Sequence, residues 1–255
     1  MATNTKPTIL IIHGGWHVPE SYAELTTALE KAGYEVHVPR LPSVNGARPP
    51  TADLSTDTAL IRKYAEDLVR GGRTVVAIMH SYGGQVGTNA LYGLGLSSSA
   101  ESKGGVSKLI YVTGYAVPEG TAMMDKVKEF GHMDLVPIAF KFEEDNTCLS
   151  TDPKTLLVGP GRDEADTEAY LKTFVRWNGK CMYQPIEHCA WKEIPVAYIH
   201  TTADMTVPFD YQKNFVEGIE KTGKKVETYE LATGHCPNFT ATEDLVNTIN
   251  KIVSE

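Results

Sequence analysis

The sequence predicts an α/β protein built on a doubly wound, mostly parallel sheet. Short β-branched runs alternate with longer segments whose apolar residues recur at helical spacing. Several of the short runs are apolar on both faces, which is typical of strands that helices cover on both sides. One long stretch, residues 118–193, interrupts this alternation. Together these observations favour a layered α/β core with one insertion.

The alternating segments define the predicted elements in chain order. Strands are predicted over residues 8–13, 35–39, 74–79, 108–113, 196–201 and 225–231. Helices are predicted over residues 21–32, 56–70, 85–94, 209–221 and 242–253. Gly33, Gly71 and Gly223 stand where helices are expected to end, a common place for glycine. The serine- and glycine-rich residues 97–105 are predicted to form an exposed loop.

Residues 118–193 are predicted to form a mainly helical cap, inserted between two strands of the sheet. The segment is polar in places, contains short helical patterns and has a turn at "VGPGRDEAD". Nothing in it resembles a further strand–helix unit. The core would then comprise residues 1–117 and 194–255, and a chain of 255 residues is long enough to build it.

Charge and composition exclude several classes of protein. The net charge is −8 and the basic residues are scattered, so the sequence predicts no nucleic-acid partner. The N-terminal residues lack the apolar core of a signal peptide, and no apolar run could span a bilayer. We therefore expect a cytoplasmic protein with no membrane partner, in which Cys148, Cys181, Cys189 and Cys236 are free thiols. Their spacing matches no zinc motif, so no metal is expected.

A serine stands at the junction of a predicted strand and a predicted helix. The stretch "IMHSYGG" runs from a buried strand through Ser81 into paired glycines. A serine in such a sharp turn has a strained backbone that exposes its Oγ, and the following helix directs its positive end there. This is the nucleophile elbow, usually G-x-S-x-G, with Met79 in place of the first glycine. The alternative is that Ser81 only caps the helix.

Two further polar residues follow predicted strands in the order that a hydrolytic triad requires. "VAYIHTTAD" is an apolar strand ending at Asp204, and "VETYELATGH" is a strand that runs into His235. A serine nucleophile needs a base to remove its proton, and the base needs an orienting carboxylate. Singly, Asp204 would be a turn residue and His235 a structural histidine. Three residues in the order Ser, Asp, His, each at a strand end, favour a catalytic triad with Ser81.

The loop after the first strand, His13-Gly14-Gly15-Trp16, provides a candidate oxyanion hole. A tetrahedral intermediate carries a negative oxygen that needs preorganised N–H donors. The residue after the nucleophile, Tyr82, would supply one donor and Gly15 the other. The glycines let the backbone approach a substrate closely, although a plain turn is the alternative. His13 is expected to brace the loop rather than act as the base.

Together these motifs resemble the α/β-hydrolase superfamily, nearest to its small capped esterases, which include plant methyl-ester hydrolases and hydroxynitrile lyases. The resemblance is carried by "HGGWHVPESYAELTTALEKAGYEVHVPRLP", "HSYGG", "TTADMTVP" and "GHCPNF", and it covers nearly the whole chain. It implies an α/β-hydrolase fold, a Ser81–Asp204–His235 triad and a Gly15/Tyr82 oxyanion hole. It also implies a cap over the pocket and no cofactor.

Hydrolysis of a carboxylic ester or lactone of a small, moderately apolar molecule is the expected reaction. Hydroxynitrile lyases typically carry a threonine after the first strand and a lysine after the catalytic histidine, where this chain has Gly14 and Cys236. Dehalogenases and epoxide hydrolases use an aspartate nucleophile, whereas position 81 is serine. A ligand receptor that retains the triad, or a non-hydrolytic lyase or isomerase of secondary metabolism, remains the alternative.

Large side chains after the first strand and in the cap are expected to contact the substrate. The candidates are Trp16, Met124, Tyr183, His188 and Trp191. His188 could reach a substrate oxygen, although a structural hydrogen bond is the alternative. The sequence leaves the physiological substrate and the oligomeric state open, a homodimer included.

Overall fold

The computed structural model describes residues 6–96 and 104–254, and a six-stranded parallel sheet forms its centre. The strands are β1 (Thr8–Ile12), β2 (Val36–His37), β3 (Thr74–His80), β4 (Gly105–Val112), β5 (Phe140–Phe142), β6 (Thr147–Ser150), β7 (Trp177–Asn178), β8 (Val196–Thr201) and β9 (Val226–Leu231). The order across the large sheet is β2-β1-β3-β4-β8-β9, and all its strand pairs are parallel. The predicted loop at residues 97–105 lies mostly outside the described residues.

Helices cover both faces of the large sheet. The helices are α1 (Ala23–Lys31), α2 (Leu54–Arg70), α3 (Tyr82–Ala90), α4 (Met123–Glu129), α5 (Val136–Ala139), α6 (Glu164–Leu171), α7 (Phe209–Glu220), α8 (Pro237–Thr240) and α9 (Thr242–Ser254). The apolar residues of α1 and α9 belong to one core, and those of α2, α3 and α7 belong to the other. The predicted doubly wound α/β fold is confirmed.

Strand β1 illustrates why the central strands are apolar along most of their length. Ile9 and Ile11 point into the core that contains α1 and α9, whereas Leu10 and Ile12 point into the core that contains α2, α3 and α7. All four side chains are fully buried. A strand covered on both faces cannot alternate apolar and polar residues, so its whole length is apolar.

Helix α3 begins earlier than the sequence pattern predicts. The prediction begins at residue 85, whereas α3 starts at Tyr82 and includes Gly83 and Gly84. A Cβ on Gly83 would lie 2.0 Å from the carbonyl oxygen of Ile12, and one on Gly84 would lie 2.5 Å from the backbone nitrogen of Tyr115. Close packing of this helix against the sheet therefore requires two poor helix formers, and packing overrides their low helix propensity.

Residues 118–193 lie between β4 and β8, and their regular structure is mainly helical, as predicted, with a small antiparallel sheet in addition. Helices α4, α5 and α6 are short, and β5, β6 and β7 pair as an antiparallel sheet that the sequence analysis did not predict. These strands contain two to four residues each. Segments of that length are too short to show a readable alternation of apolar and polar residues. The division of the chain into a core and a separate cap stays a prediction.

The connections at β1 create a crevice at the carboxyl edge of the large sheet. Strand β2 lies on one side of β1 and β3 on the other, so the direction of winding reverses between β1 and β3. Loops that leave two such strands diverge, and the space between them is where α/β sheets bind ligands. His13 follows β1 and Ser81 follows β3, so both predicted site loops begin at this crevice.

Cysteines, membrane spans and metal clusters can also be assessed in the described residues. All four cysteines are buried and are free thiols, as predicted. Over residues 6–96 and 104–254, no helix combines the length and the apolar character that a membrane span requires. In the same ranges, no three His, Cys, Asp or Glu side chains are grouped so that they could hold a metal ion.

Candidate active site

Ser81 occupies the sharp turn between β3 and α3. Its backbone has φ 53° and ψ −123°, a conformation that costs a non-glycine residue about 1–3 kcal/mol and persists only where the surroundings impose it. The N–H of Ser81 donates to the carbonyl of Val112 at 3.3 Å, and its carbonyl accepts from the N–H of Tyr115 at 3.1 Å. These bonds to the end of β4 and the loop after it hold the turn.

Met79, which replaces a motif glycine, extends beneath α3. A Cβ added to Gly87 would lie 2.3 Å from the Met79 sulfur, so the thioether fills the space that a side chain at position 87 would occupy. A Cβ added to Gly114 would lie 2.7 Å from the Met79 carbonyl oxygen. The elbow therefore accommodates the methionine side chain because glycine stands at the facing position 87, while Gly114 allows close approach to the backbone of the elbow.

We expect the stability effects of positions 79 and 87 to be coupled. Gly87→Ala should destabilise the protein by about 1–3 kcal/mol because the added methyl group overpacks Met79. In the Met79→Ala background the same change should cost much less, since only the contact with Ile12 Cδ1 at 2.9 Å remains and alanine exceeds glycine in helix propensity by about 1 kcal/mol. Urea unfolding of the wild type, both single variants and the double variant measures the coupling. Additive effects would contradict this account of the packing.

Ser81, His235 and Asp204 form one continuous chain of buried hydrogen bonds. The His235 Nε2 atom lies 2.9 Å from Ser81 Oγ, and its Nδ1 atom lies 2.7 Å from Asp204 Oδ2. Because a carboxylate can only accept, Nδ1 carries the proton and Nε2 is left to accept from the serine hydroxyl. The structure thus brings together three residues that follow β3, β8 and β9.

Asp204 is held by four hydrogen bonds besides the one from the imidazole. Its Oδ2 accepts from the hydroxyls of Thr113 at 2.7 Å and Thr201 at 2.9 Å. Its Oδ1 accepts from the N–H groups of Thr206 and Val207, both at 2.8 Å. Burial alone would raise the pKa of this carboxyl, but the imidazole and the donated hydrogen bonds outweigh burial and lower the pKa below its usual value. Asp204 is therefore ionised at neutral pH and fixed in orientation.

Two backbone N–H groups near Ser81 have no partner within the described parts of the chain. A Cβ on Gly14 would lie 3.2 Å from the Ser81 Cβ, which places the loop after β1 directly against the serine. The Gly14 N–H donates to the Tyr22 hydroxyl at 3.0 Å. The next N–H, of Gly15, and the N–H of Tyr82 donate to no group in the described residues. Both remain available to a bound oxygen atom.

The side chain of Tyr82 is anchored on a buried carboxyl group. Its hydroxyl donates to Asp57 Oδ2 at 2.8 Å, and the Ser43 N–H donates to Asp57 Oδ1 at 2.9 Å. Burial raises the pKa of Asp57 to about 6, although the donated hydrogen bonds oppose the effect. Asp57 thereby holds the first turn of α3, which carries the free N–H of Tyr82.

Because Asp57 is buried, we expect the contribution of its protonated carboxyl to folding stability to fall as the pH rises from about 4 to about 6. The native state holds the Asp57 proton more tightly than the unfolded chain does. This stabilisation is therefore complete at pH values below the pKa of Asp57 in the unfolded chain, and it is lost at pH values above its pKa in the folded protein. At about 1.4 kcal/mol per pKa unit, the loss reaches about 3 kcal/mol. Urea unfolding of both proteins across this range should show the stability difference between the wild type and Asp57→Asn shifting by this amount against the wild type.

The matched control for this pH dependence is Asp134→Asn, because Asp134 is exposed. That variant should follow the wild-type profile. If the stability difference between the wild type and Asp57→Asn does not change with pH, the buried carboxyl is not the group that titrates.

Aromatic side chains pack over the loop that contains Gly15. Trp16, with φ 61°, stacks on Phe140 with ring centroids 5.4 Å apart and meets Trp177 edge-on at 5.2 Å. Trp177 also packs on the ring of Tyr82 at 4.6 Å, and a Cβ on Gly15 would lie 2.6 Å from it. Trp16 thus lies beside the candidate site, and its contact with a substrate stays a prediction.

Met124 and Trp191 are buried in the apolar cluster that also contains Trp16. The Trp191 indole N–H donates to the carbonyl of Val117 at 3.2 Å. Both side chains therefore help to pack the insertion onto the sheet. Their contact with a substrate also stays a prediction.

His188 and Tyr183 are both exposed, and His188 is not brought to Ser81. His188 is exposed, stacks on Tyr92 with ring centroids 4.8 Å apart, and its N–H donates to the side chain of Asn89. Asn89 lies near the end of α3, about 10 Å from its start at 1.5 Å per residue. Ser81 precedes that start, so His188 lies at the opposite end of the helix. The side chain of Tyr183 points outward and the residue is 51% exposed.

A small cavity lies next to the loop of Asp204. Its volume is about 70 Å³, and it opens beside Leu135 and Met205, which are both exposed. Other lining residues are Val127, Val136, Ala139, Phe140 and Leu156. His132 Nδ1 and the Tyr211 hydroxyl lie 2.8 Å apart in its wall. The cavity is therefore apolar with one polar pair.

Comparison with known proteins assigns most of the chain to one family. The model of the alpha/beta hydrolase family matches residues 9–248. The chain belongs to this family. The resemblance that the motifs predicted is thereby confirmed.

Individual relatives of this hydrolase span its whole length. A probable hydrolase, R7, from Phoma sp. is 29% identical over 250 residues, which cover 96% of this chain and 97% of the relative. Among solved structures, the methylesterase MES16 from Arabidopsis superposes with a TM-score of 0.74 at 18% identity, covering 97% of this chain and 99% of that one. Polyneuridine aldehyde esterase superposes with a TM-score of 0.76 at 16% identity and the same coverage. At such low sequence identities, the structural similarity shows a shared fold and no more.

Several residues around the site of this hydrolase were not predicted from the sequence. Thr113 and Thr201, which hold Asp204, stand at or just after the ends of β4 and β8, a position that could have indicated a polar role. Thr113 also has φ 41°, a conformation that is rare for a β-branched residue and that no sequence pattern reveals. Tyr22 and His80 contact each other in the site region through side chains 58 residues apart.

Proposed function

We propose that this hydrolase is a serine esterase that cleaves carboxylic esters or lactones of small, moderately apolar molecules through an acyl-enzyme. The observation that carries the proposal is the buried chain of hydrogen bonds from Ser81 through His235 to Asp204. It supports Ser81 as a hydroxyl nucleophile in contact with its base, His235, and Asp204 as the group that orients this base. The two unpartnered N–H groups beside it support an oxyanion hole.

In the first half-reaction, Ser81 Oγ forms a bond to the carbonyl carbon while His235 Nε2 takes the hydroxyl proton. The carbonyl electron pair moves onto oxygen, and the N–H groups of Gly15 and Tyr82 stabilise the resulting negative charge. Each such donor is worth about 3–4 kcal/mol in the transition state. When the electron pair returns, the bond to the alcohol oxygen breaks and His235 delivers the proton to that oxygen.

The second half-reaction repeats these steps with water. His235 Nε2 removes a proton from the water as its oxygen attacks the acyl carbon, and the bond to Ser81 Oγ breaks as the serine regains a proton. Asp204 holds the imidazole in the tautomer that has Nε2 free, and its negative charge stabilises the imidazolium at each stage. The products are a carboxylic acid and an alcohol, or one hydroxy acid from a lactone.

The substrate class is inferred from the surroundings of the serine. Trp16, Phe140 and the cavity beside Asp204 present apolar surface, which favours an uncharged substrate. The cavity reaches the site region through Phe140, which stacks on Trp16, and we infer that it receives part of the substrate. An apolar cavity of roughly 150 Å³ accepts benzene, so this much smaller cavity suits a short alkyl group. The insertion at residues 118–193 would form the cap over this pocket. The esterase names of the solved neighbours agree with an ester substrate.

The test is turnover combined with labelling of the nucleophile. The protein is assayed with p-nitrophenyl esters and with lactones of increasing acyl size, and separately treated with a fluorophosphonate followed by mass mapping. We expect sustained multiple turnover, best with short acyl groups, and a single label on Ser81. Labelling without multiple turnover on any ester or lactone would instead indicate a receptor or a non-hydrolytic enzyme. A label elsewhere would overturn the assignment of Ser81.

A further inference from the structure

Two buried hydrogen-bond bridges join the loops on either side of Ser81. We call residues 13–17, which contain Gly15, the oxyanion loop, and residues 232–236, which contain His235, the base loop. The two loops follow β1 and β9, which are not neighbours in the sheet. Sheet pairing therefore does not set the distance between them. Each bridge crosses this gap through a histidine for which the proposed reaction has no use.

The first bridge runs through Tyr22 and His80. The Gly14 N–H of the oxyanion loop donates to the Tyr22 hydroxyl at 3.0 Å. The Tyr22 hydroxyl lies 2.6 Å from His80 Nδ1, and His80 Nε2 lies 2.7 Å from the carbonyl oxygen of His235. The bridge thus begins one residue before Gly15 and ends on the backbone of the base itself.

The second bridge runs through His17. Its Nδ1 atom lies 2.7 Å from the carbonyl oxygen of Gly15, and its Nε2 atom lies 3.4 Å from the Cys236 sulfur. Cys236 directly follows His235, and both Cys236 and His17 are buried. This bridge therefore begins on the residue that offers the oxyanion N–H and ends next to the base.

The direction of every hydrogen bond in the bridges follows from the acceptors. A carbonyl oxygen can only accept, so His80 donates from Nε2 to His235, and His17 donates from Nδ1 to Gly15. The other ring nitrogens must then accept, from the Tyr22 hydroxyl and the Cys236 thiol. Because the Tyr22 proton goes to His80, its oxygen is free to accept the Gly14 N–H. Both bridges are complete with each imidazole neutral.

Burial keeps both imidazoles in the neutral form that the bridges require. Burial, together with the neighbouring His235, lowers the pKa of His80 to about 3. Burial also lowers the pKa of His17 well below its usual value, with a further contribution from His80. Each bridge therefore persists through the pH range in which an esterase would work.

We propose that His80 and His17 are positioning residues that hold the oxyanion donor of Gly15 at a fixed distance from the base His235. The inference rests on the proposed esterase function. The first bridge occupies the Gly14 N–H, so Gly15 supplies the free donor, and the second bridge fixes the Gly15 peptide by its carbonyl. Neither histidine needs to contact the substrate. Loss of a bridge should therefore lower kcat and leave KM nearly unchanged.

The first test is Tyr22→Phe, which removes the hydroxyl that links Gly14 to His80. A misplacement of about 1 Å can cost a hundredfold in rate, so we expect kcat for a p-nitrophenyl ester to fall about 10- to 100-fold. Tyr34→Phe is the matched control, because its buried hydroxyl donates to Asn250 Oδ1 at 2.8 Å in another part of the fold. Its kcat should equal that of the wild type.

The second test separates the hydrogen bond of Cys236 from its volume. Cys236→Ala removes the donor to His17, whereas Cys236→Ser keeps a donor in a side chain of similar size. We expect Cys236→Ala to lower kcat about tenfold and Cys236→Ser to restore most of that loss. Cys189→Ala controls for removing a buried thiol, because Cys189 contacts the carbonyl of Val117 rather than either loop. The comparison of Cys236→Ala with Cys236→Ser tests the second bridge independently of Tyr22→Phe.

Titration with a fluorophosphonate counts the molecules in which Ser81 can react. Dividing the measured rate by this count corrects kcat for the inactive fraction of a partly unfolded variant. The inference is overturned if Tyr22→Phe keeps a wild-type kcat per competent site, or if Cys236→Ser is as slow as Cys236→Ala. It is also overturned if KM rises in proportion to the loss of kcat. Failure of the esterase proposal gives a different result, namely that the wild type has no turnover or that Ser81→Ala retains it.

Discussion

Ser81→Ala is expected to lower kcat for ester hydrolysis by about six orders of magnitude, since removing the nucleophile of such a triad costs about as much as removing all three members. The residual rate would come from the oxyanion hole and from substrate binding. Folding should be intact, because the turn is held by backbone bonds to Val112 and Tyr115 that alanine also makes. Steady-state kinetics with p-nitrophenyl esters and a thermal unfolding curve measure both quantities.

The control for Ser81→Ala is Ser107→Ala in β4, where the hydroxyl donates to the carbonyl of Val75 far from the site. That variant should keep wild-type turnover. Turnover in Ser81→Ala within tenfold of the wild type would refute the assignment of the nucleophile.

Asp204→Asn is expected to lower kcat by about four orders of magnitude while leaving KM similar, because the loss comes from the wrong imidazole tautomer. An amide can present its NH2 group to His235 Nδ1, which then accepts, so that Nε2 carries the proton and cannot take the one from Ser81. The site of Asp204 makes the effect large, since four donors besides the imidazole hold the carboxylate. Steady-state kinetics measure the loss, and Ser81 labelling should slow in parallel.

Asp210→Asn is the matched control for Asp204→Asn, because Asp210 is exposed and its ion pair with Lys213 lies on the surface. Its kcat should not change. If Asp204→Asn hydrolyses esters within about tenfold of the wild type, the carboxylate does not orient the base and the triad assignment fails.

The strands of the large sheet were predictable because most of them are largely apolar runs bounded by residues that favour turns. Strand β8 was predicted over its full length, and β3 to within one residue. The start of α3 was not predictable from propensity, since Gly83 and Gly84 disfavour a helix on their own. Their place in α3 becomes clear only when β1 and the Gly114–Tyr115 loop are seen packed against it.

The candidate triad was predictable for a related reason. Ser81, Asp204 and His235 each follow a strand of the large sheet, and the carboxyl ends of parallel strands lie at one edge of the sheet. The order of the three residues along the chain then selects them from other polar residues. By contrast, His188 and Tyr183 were chosen by residue type alone. The structure places His188 at the far end of α3 from Ser81 and leaves Tyr183 half exposed.

Local sequence by itself determined the fold class and the chemical groups at the strand ends, because strand patterns and turn residues are properties of neighbouring positions. Only the tertiary structure decided how Met79 fits, which threonines hold Asp204, and how Tyr22, His80, His17 and Cys236 join the two loops. The physical reason is that those contacts form between segments that meet only after folding, in one case between side chains 219 residues apart. A sequence pattern describes neighbouring positions only. It does not show which loops will lie side by side once the helices have packed on the sheet.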